Sequence, residues 1–541
     1  MRTDRRGRAG VAMRLAGVAL VAAMALAGCA KGGDLDSPAG PSTQLADSGK
    51  DVDRITVALP GSLSSLYPGQ ESGILNYNMG QLYYQGLVGL SSAGAVVPAV
   101  AQHWSQPDPT TYVFDLDANA HFSDGTPVTA DDVKFSLDKA ADATASPGIA
   151  AYLGGVTSVA VTGEHQITVR LSAPDPAFLR LMSASGAAFI TSRAAWDRAD
   201  GKVGTPSSLV VGTGPYRVTS FRPGAGLTLQ RSSAWSGTRP RVVTIDVKFI
   251  PDDNTRLLAA RSGDIDLAFN VPITQVNQWR QTGGERVESV NDLSYLGVNF
   301  DTRVAPFDDP KVREAIAYAA DKEAIVTHLL HGYAETATSL MTPESLSPTY
   351  DATQARQILD GVSHVDYDMD KAKAALAASR HPRGFSAELT YPNTGPQLGL
   401  AAQALAQTVK AMGITLHVKE IPIEQWLSTI GDKTHGMSFM WYFSTTGDPA
   451  EVPSYLLGAD NISGYTNPAV SDLLARASTA PDARSRIADL VQADSLQARD
   501  FVNVPLWWGK SLTGFSDKIA IRDFTGFTFN SEWGTSLYVP S

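Results

Sequence analysis

His121–Lys139 reads HFSDGTPVTADDVKFSLDK, and its punctuation decides the local fold. Ser123–Pro127 is a tight turn, in which Asp124 opens the bend, Gly125 tolerates a left-handed backbone and Pro127 presets φ on the way out. Thr129 then predicts a helix N-cap, with Asp131 and Asp132 in the first turn, where carboxylates favour the positive end of the helix dipole. Val133, Phe135 (or Ser136) and Leu137 carry that helix inward. Upstream, Tyr112–Leu116 alternates apolar and polar residues as a strand does. The stretch is a strand–turn–helix unit.

Around it lie 541 residues with a formal net charge of −11, enough chain for two or three domains and a large buried core. The first 28 residues hold five Arg and one Asp, so a chain without them carries about −15. That balance speaks against nucleic-acid binding, which needs clustered Lys and Arg to neutralise phosphate. Arg2, Arg5, Arg6, Arg8 and Arg14 precede a short apolar run, Leu15–Leu26, too short for a comfortable span of a bilayer. The run ends in Leu26-Ala27-Gly28-Cys29, which resembles a bacterial lipobox, and Cys29 is the only cysteine, so no disulfide within the chain is possible. The expectation is a signal peptide over 1–28 and a lipid-modified Cys29 holding the protein on the extracytoplasmic face of the cell membrane. Two acyl chains anchor far better than one. Residues 29–53, rich in Gly, Ser, Pro and Asp, read as a flexible tether.

Phe122–Val133 closely resembles the FSDGTPVTADDV signature of the peptide/nickel-type solute-binding proteins of ABC importers. Gly212-Thr213-Gly214-Pro215-Tyr216 matches the family's GTGPY, and 305–326, APFDDPKVREAIAYAADKEAIV, is a further match. Ser65-Leu66-Tyr67-Pro68 resembles the family's opening SLDP, with Tyr67 in place of the Asp. The resemblance implies an α/β, two-lobe, periplasmic-binding-protein-like fold of class II, of the large peptide type with an extra small domain and a ligand cleft between the lobes. Lobe one is expected over 54–294 plus 501–541, including the extra subdomain at about 88–205, and lobe two over 295–500. Among single elements, a helix is expected at 77–87, an amphipathic helix at 315–330, a central buried strand at 437–443 and late strands at 502–508 and 524–529.

No catalytic reading survives inspection. Ser136-Leu137-Asp138-Lys139 fits a Ser-x-x-Lys pattern but lacks the partner motifs of the acylases that use it. No Gly-x-Ser-x-Gly or His-Glu-x-x-His occurs, and no P-loop. His328 and His331 could share a helix face, but no Cys or carboxylate stands at metal-ligand spacing beside them. No cofactor and no metal is expected.

By resemblance, Ser72, Gly73 and Ile74 fall where the family lends backbone to the ligand. Trp426 and the Met440-Trp441-Tyr442 backbone fall where peptide-binding members pair with their ligand as an added strand, a mode that ignores side chains. Trp507 or Trp508 would add a wall from lobe one, and Asn461 is a further candidate in a loop. Trp suits such walls because it offers wide apolar surface at little entropic cost. One position departs from the pattern. Peptide-binding members carry an Asp, as W-x-x-D-Y, to neutralise the ligand's α-amino group, and here that position is Ser444. A buried ammonium without a counter-charge costs several kcal/mol. Glu71, Glu424 or Glu451 could substitute, the amine could stay solvated, or the ligand could be something other than a free peptide. The expected function is a lipid-anchored receptor that captures di- to oligopeptides for permease subunits served by a separate ATPase. Haem, a nickel chelate or an oligosaccharide are alternative ligands, and a secreted hydrolase is the alternative class.

Overall fold

The computed structural model describes residues 45–541 except 72, 348, 394, 423, 424, 427, 428, 430–435 and 481, and these described residues belong to one compact unit. Cys29, Ser72 and Glu424 therefore lie outside the described residues. No helix among the described residues is long and apolar enough to cross a membrane.

The described residues carry a large mixed sheet. Its strands in chain order are β1 (Val52–Leu59), β2 (Tyr216–Arg222), β3 (Gly226–Arg231), β4 (Val242–Phe249), β5 (Leu267–Ala268), β6 (Glu285–Phe300), β7 (Ala334–Thr336), β8 (Ser386–Pro392), β9 (Thr415–Ile421), β10 (Met437–Phe443) and β11 (Asn503–Ser516). They lie side by side as β9-β8-β10-β6-β11-β5-β1-β4-β3-β2, with β7 on β11. The long antiparallel strands β6 and β11 belong to both halves of this order. Glu285–Asn291 pairs with Lys510–Ser516 on one side of a register break, and Tyr295–Asn299 with Asn503–Trp508 on the other.

Side chains gather on the two sides of this crossing into separate cores. Ile55, Tyr83, Phe114, Phe189, Phe515 and Trp533 belong to the first-lobe core. Leu296, Phe300, Leu389, Leu405, Phe439 and Leu506 belong to a second, joined by a neighbouring cluster around Tyr295, Trp426, Met440 and Leu456. Two α/β lobes joined by crossing strands are the arrangement in which hinge motion closes a cleft.

The Phe122–Val133 stretch folds as its residues dictate. Asp124 Oδ1 accepts from Thr126 N at 3.0 Å and from Thr126 Oγ1 at 2.6 Å, and Gly125 takes φ +88°. Thr129 caps the helix Ala130–Ala141 in a reciprocal capping box with Asp132. Ser136 is buried and donates to the Asp132 carbonyl at 2.7 Å, a structural use of its hydroxyl. Helix Ala130–Ala141 packs on a four-stranded antiparallel sheet ordered 101–108, 111–116, 166–171, 156–163, the extra subdomain's sheet. The turn also docks on the GTGPY segment, with Ser123 N donating to Gly212 O at 2.8 Å. Gly212 in turn rests on the end of helix α1 (Ile74–Tyr83), where a Cβ would stand 2.2 Å from Tyr83 O. Any larger residue there would push α1 away.

Several elements differ from the sequence reading. The folded unit begins earlier than residue 54: Ser48 N donates to Val539 O at 3.0 Å, Ser541 N to Ala46 O at 2.9 Å and Tyr538 Oη to Leu45 O at 2.8 Å. Main-chain pairing with the C-terminal segment, invisible in composition, ties residues 45–48 down. The helix expected at 77–87 starts at Ile74 and stops at Tyr83. The helix expected at 315–330 covers Pro310–Ala319 and then breaks, continuing as a single turn at Lys322–Ala324 and a wide turn at Ile325–Leu329. Asp321 re-caps the chain there by accepting from Ala324 N at 2.9 Å. Residues 524–529 form no strand but a turn leading into a short 3-10 helix, because Phe524 and Phe529 pack on each other and into the core rather than along a sheet.

Candidate functional site

The loop after β10 carries a carboxylate held by neutral donors. Glu451 opens helix α2 (Glu451–Leu457), a position the helix dipole favours for a carboxylate. Its Oε2 accepts from Ser444 Oγ at 2.5 Å, Thr446 Oγ1 at 2.5 Å and Thr446 N at 3.4 Å. Its Oε1 accepts from Tyr442 Oη and Thr445 N, both at 3.3 Å. Among the described residues no Lys or Arg pairs with it. Burial raises its pKa, and the donated hydrogen bonds of Ser444 and Thr446 work in the opposite direction. Asp448, three residues earlier, is already neutralised: Arg486 grips it bidentately at 2.6 and 2.7 Å in a buried pair. Glu451 is thus a half-buried carboxylate without a direct ion pair, within electrostatic reach of Arg180 and seated on the side chain of Ser444.

Lobe one brings tyrosines to the same place. The segment before Tyr152 is stitched to the 69–73 loop by Gly148 N to Gly69 O at 3.0 Å and by Gln70 Nε2 to Ala145 O at 2.6 Å. Tyr77 lies on α1, and its hydroxyl is buried with no partner. Its helix neighbour Asn78 donates to Asn530 Oδ1 at 3.3 Å, and Asn530 Nδ2 donates to Thr445 O at 2.7 Å. That relay joins α1 directly to the Ser444–Glu451 loop. Tyr152 is 39% exposed and its hydroxyl is pushed up to about 12, first by burial of that group and then by the charge of Glu451. Burial raises Tyr77 and Tyr442 further, again with Glu451 contributing. Tyr455, 37% exposed, packs its ring 5.1 Å from that of Tyr442 at 48°.

The expected site residues fall into three groups. Tyr442 and Ser444 touch Glu451, and the exposed N-cap Gly73 and half-buried Ile74 open α1, one turn before Tyr77. Met440 and Trp426 share a core cluster, and Trp441 is half-buried against another. Trp507 and Trp508 are 5% and 4% exposed and fill cores of the second lobe, Trp508 donating Nε1 to Ser339 O at 3.2 Å. The amide of Asn461 is spent on its own loop, with bonds to Gly458 O, Tyr465 O and Tyr465 N. Of the three substitute carboxylates, Glu71 accepts from Ser64, Ser65 and Asn76, and Glu451 is the described one that touches Ser444. Tyr77, Tyr152 and Tyr455 were missed by sequence reasoning, since no motif marks a tyrosine that reaches its neighbours from another segment.

The main chain at the site has an unused edge. β10 pairs along its whole length with β6, but with β8 only at Ser438–Thr390. Among the described residues, the Met440–Phe443 edge facing away from β6 has no strand beside it, a place where an extended ligand can add one.

The model of the bacterial extracellular solute-binding proteins, family 5, matches residues 95–464. The chain belongs to that family. It is a solute-binding receptor of the peptide/nickel type, serving ABC import and not an enzyme. It is 28% identical over 452 residues to the probable di/tripeptide-binding protein 5 of Pseudomonas aeruginosa, covering 76% of this chain and 82% of that one. It is 24% identical to the glutathione-binding protein GsiB of Escherichia coli, covering 88% and 93%. The ABC transporter-associated periplasmic binding protein DppA of Helicobacter pylori, solved with the peptide STSA, has the same fold at a TM-score of 0.77 and 22% identity, over 91% of this chain and 99% of that one.

In the receptor, lobe one also clasps the loop that carries Glu451. Arg180 donates Nη1 to Thr446 O at 2.8 Å and Nη2 to Gly94 O at 2.7 Å. Phe527 lies where a Cβ on Gly447, held at φ +65°, would stand 2.2 Å away. Arg180, Phe527 and Asn530 thus set the position of Ser444–Glu451 against lobe one.

Proposed function

We propose that the receptor is held to the extracytoplasmic face of the membrane through Cys29, captures peptides between its lobes and delivers them to the permease subunits of an importer. In this reading lobe one spans 54–294 and 501–541 with the stitched residues 45–53, and lobe two spans 295–500 and receives the side chains of Val504, Leu506, Trp507 and Trp508 into its cores. The peptide lies extended along Met440–Phe443, pairing through its main chain, and its amino end meets Glu451. The observation that carries this reading is the half-buried acid on Ser444, a carboxyl group supplied from α2 beside the position that this strand leaves neutral. Named peptide binders among the relatives support the ligand class.

Thermal unfolding of the chain from Lys31 onward, with di-, tri- and tetrapeptides bearing free or acetylated amines, tests it. A ligand at about a hundred times its dissociation constant adds roughly 2.7 kcal/mol, a readily seen shift. Stabilisation by charged amines and not by acetylated ones is the expected result. Equal stabilisation by both would mean that the main chain alone is read. No shift from any peptide, once co-purified ligand has been removed, would overturn the peptide reading and turn the search to haem, nickel chelates and sugars.

A further inference from the structure

Resting on the peptide reading, we infer that the subsite at Glu451 is built for an alkylated ammonium, an N-methylated or quaternary head, held by charge and tyrosine rings rather than by hydrogen bonds. Two features of the site lead there.

The first is that Glu451 offers charge without free lone pairs. A carboxylate has about four acceptor positions, and five protein donors from Tyr442, Ser444, Thr445 and Thr446 already converge on it. A primary ammonium arrives with three N–H donors, each of which must find an acceptor once water is stripped away. At Glu451 it would have to displace donors that are themselves buried. A trimethylated nitrogen has no N–H to satisfy. It asks only for a nearby negative charge and for polarisable surface.

The second feature supplies that surface. Tyr442 and Tyr455 meet at 5.1 Å with their planes at 48°, and Tyr455 keeps part of its ring exposed. Tyr455 and Tyr152 are among the few large side chains that remain exposed, one from each lobe. The stitching of residues 145–148 to Gly69 and Gln70, and the Asn78–Asn530–Thr445 relay, accompany an approach of Tyr152 and Tyr77 that puts both within electrostatic reach of Glu451. Tyrosine faces attract cations, most strongly when these are weakly hydrated and desolvated. A carboxylate with saturated lone pairs beside tyrosine rings suits a soft, bulky cation.

The test is calorimetric titration of the full chain, purified in mild detergent, with trialanine carrying a free, N-methyl, N,N,N-trimethyl or N-acetyl amino end. Choline serves as a probe of the head alone. Trimethylated trialanine is expected to bind about tenfold tighter than the free amine, and the acetylated form to lose binding. Tyr455→Leu should weaken the trimethylated form about three- to thirtyfold while Tyr455→Phe leaves it unchanged. Both variants sit at an exposed position, so folding is checked by their unfolding midpoints. Successive weakening with each methyl would overturn the inference and leave the peptide reading intact. If no trialanine form binds but choline does, the peptide reading fails and the cation subsite stands. Silence from choline and from all four peptides overturns both.

Discussion

Replacing Glu451 by Gln removes one charge and keeps nearly all of the volume. The carboxamide oxygen can still accept from Ser444 and Thr446, so the loop should hold its shape. At a separation of about 4 Å and an effective dielectric of about 20, a carboxylate and a ligand cation attract by about 4 kcal/mol. Loss of that term predicts roughly a thousandfold fall in affinity for a cationic ligand. The free receptor should respond in the opposite sense. Because the folded-state pKa of Glu451 is raised above its usual value of 4.5, the folded protein holds its proton more tightly than the unfolded chain does. Its charged form therefore costs stability, a cost absent below pH 4.5 that grows until pH passes the raised value. Glu451→Gln should flatten that part of the pH–stability curve and raise the unfolding midpoint at neutral pH. Calorimetric titration with a charged peptide, run beside thermal unfolding between pH 4 and 8, measures both effects. Unchanged affinity in the variant would refute the assignment of Glu451 as the counter-charge.

Other expectations concern the same neighbourhood and the frame that holds it. Ser444→Asp places a second carboxylate against Glu451, where Ser444 now donates at 2.5 Å. Like charges at that range cannot both ionise, so thermal unfolding should show a loss of about 1–3 kcal/mol at pH 8 and a smaller one at pH 5. Asp448→Ala strands the buried guanidinium of Arg486 and should cost about 3–5 kcal/mol in chemical denaturation. Arg180→Ala removes two charge-assisted bonds that hold the Thr446 loop to lobe one, and stopped-flow release of a fluorescent peptide should quicken about tenfold or more. Glu344 is pushed up to about 7 by burial, with one carboxylate oxygen unpartnered. Its charge thus costs stability as pH rises from 4.5 to about 7, and Glu344→Gln should remove that slope in a pH series of unfolding midpoints.

Legibility in the sequence followed the range of the interaction. The turn at Asp124-Gly125 and the cap at Thr129 are written within a few residues, and both form as read. The apolar run Met437–Phe443 is a strand in the interior of the large sheet, with hydrophobic content enough to mark it. Phe524–Phe529 alternates like a strand, yet its rings interlock with each other and with Trp533, a contact that periodicity cannot distinguish from sheet formation. The site was legible as an anomaly more than as a motif. Ser444 announced a missing charge, and three carboxylates were open as replacements. What singles out Glu451 is a loop that folds back on itself so that residue 451 touches residue 444. The tyrosines were out of reach for the same reason, since Tyr77, Tyr152 and Tyr455 meet only after both lobes are in place.

β11 lies near the end of the chain, yet Val504, Leu506 and Trp507 belong to the core of one lobe and Phe515 to that of the other. A ribosome makes this strand about two hundred residues after its partner β6. Neither lobe can complete its hydrophobic core while the residues of β11 are still in the exit tunnel, so the usual order of domains folding one after another during synthesis does not apply. Such a polypeptide stays loosely organised until it is whole. That delay postpones the slow pairing of distant strands until both lobes can be completed together.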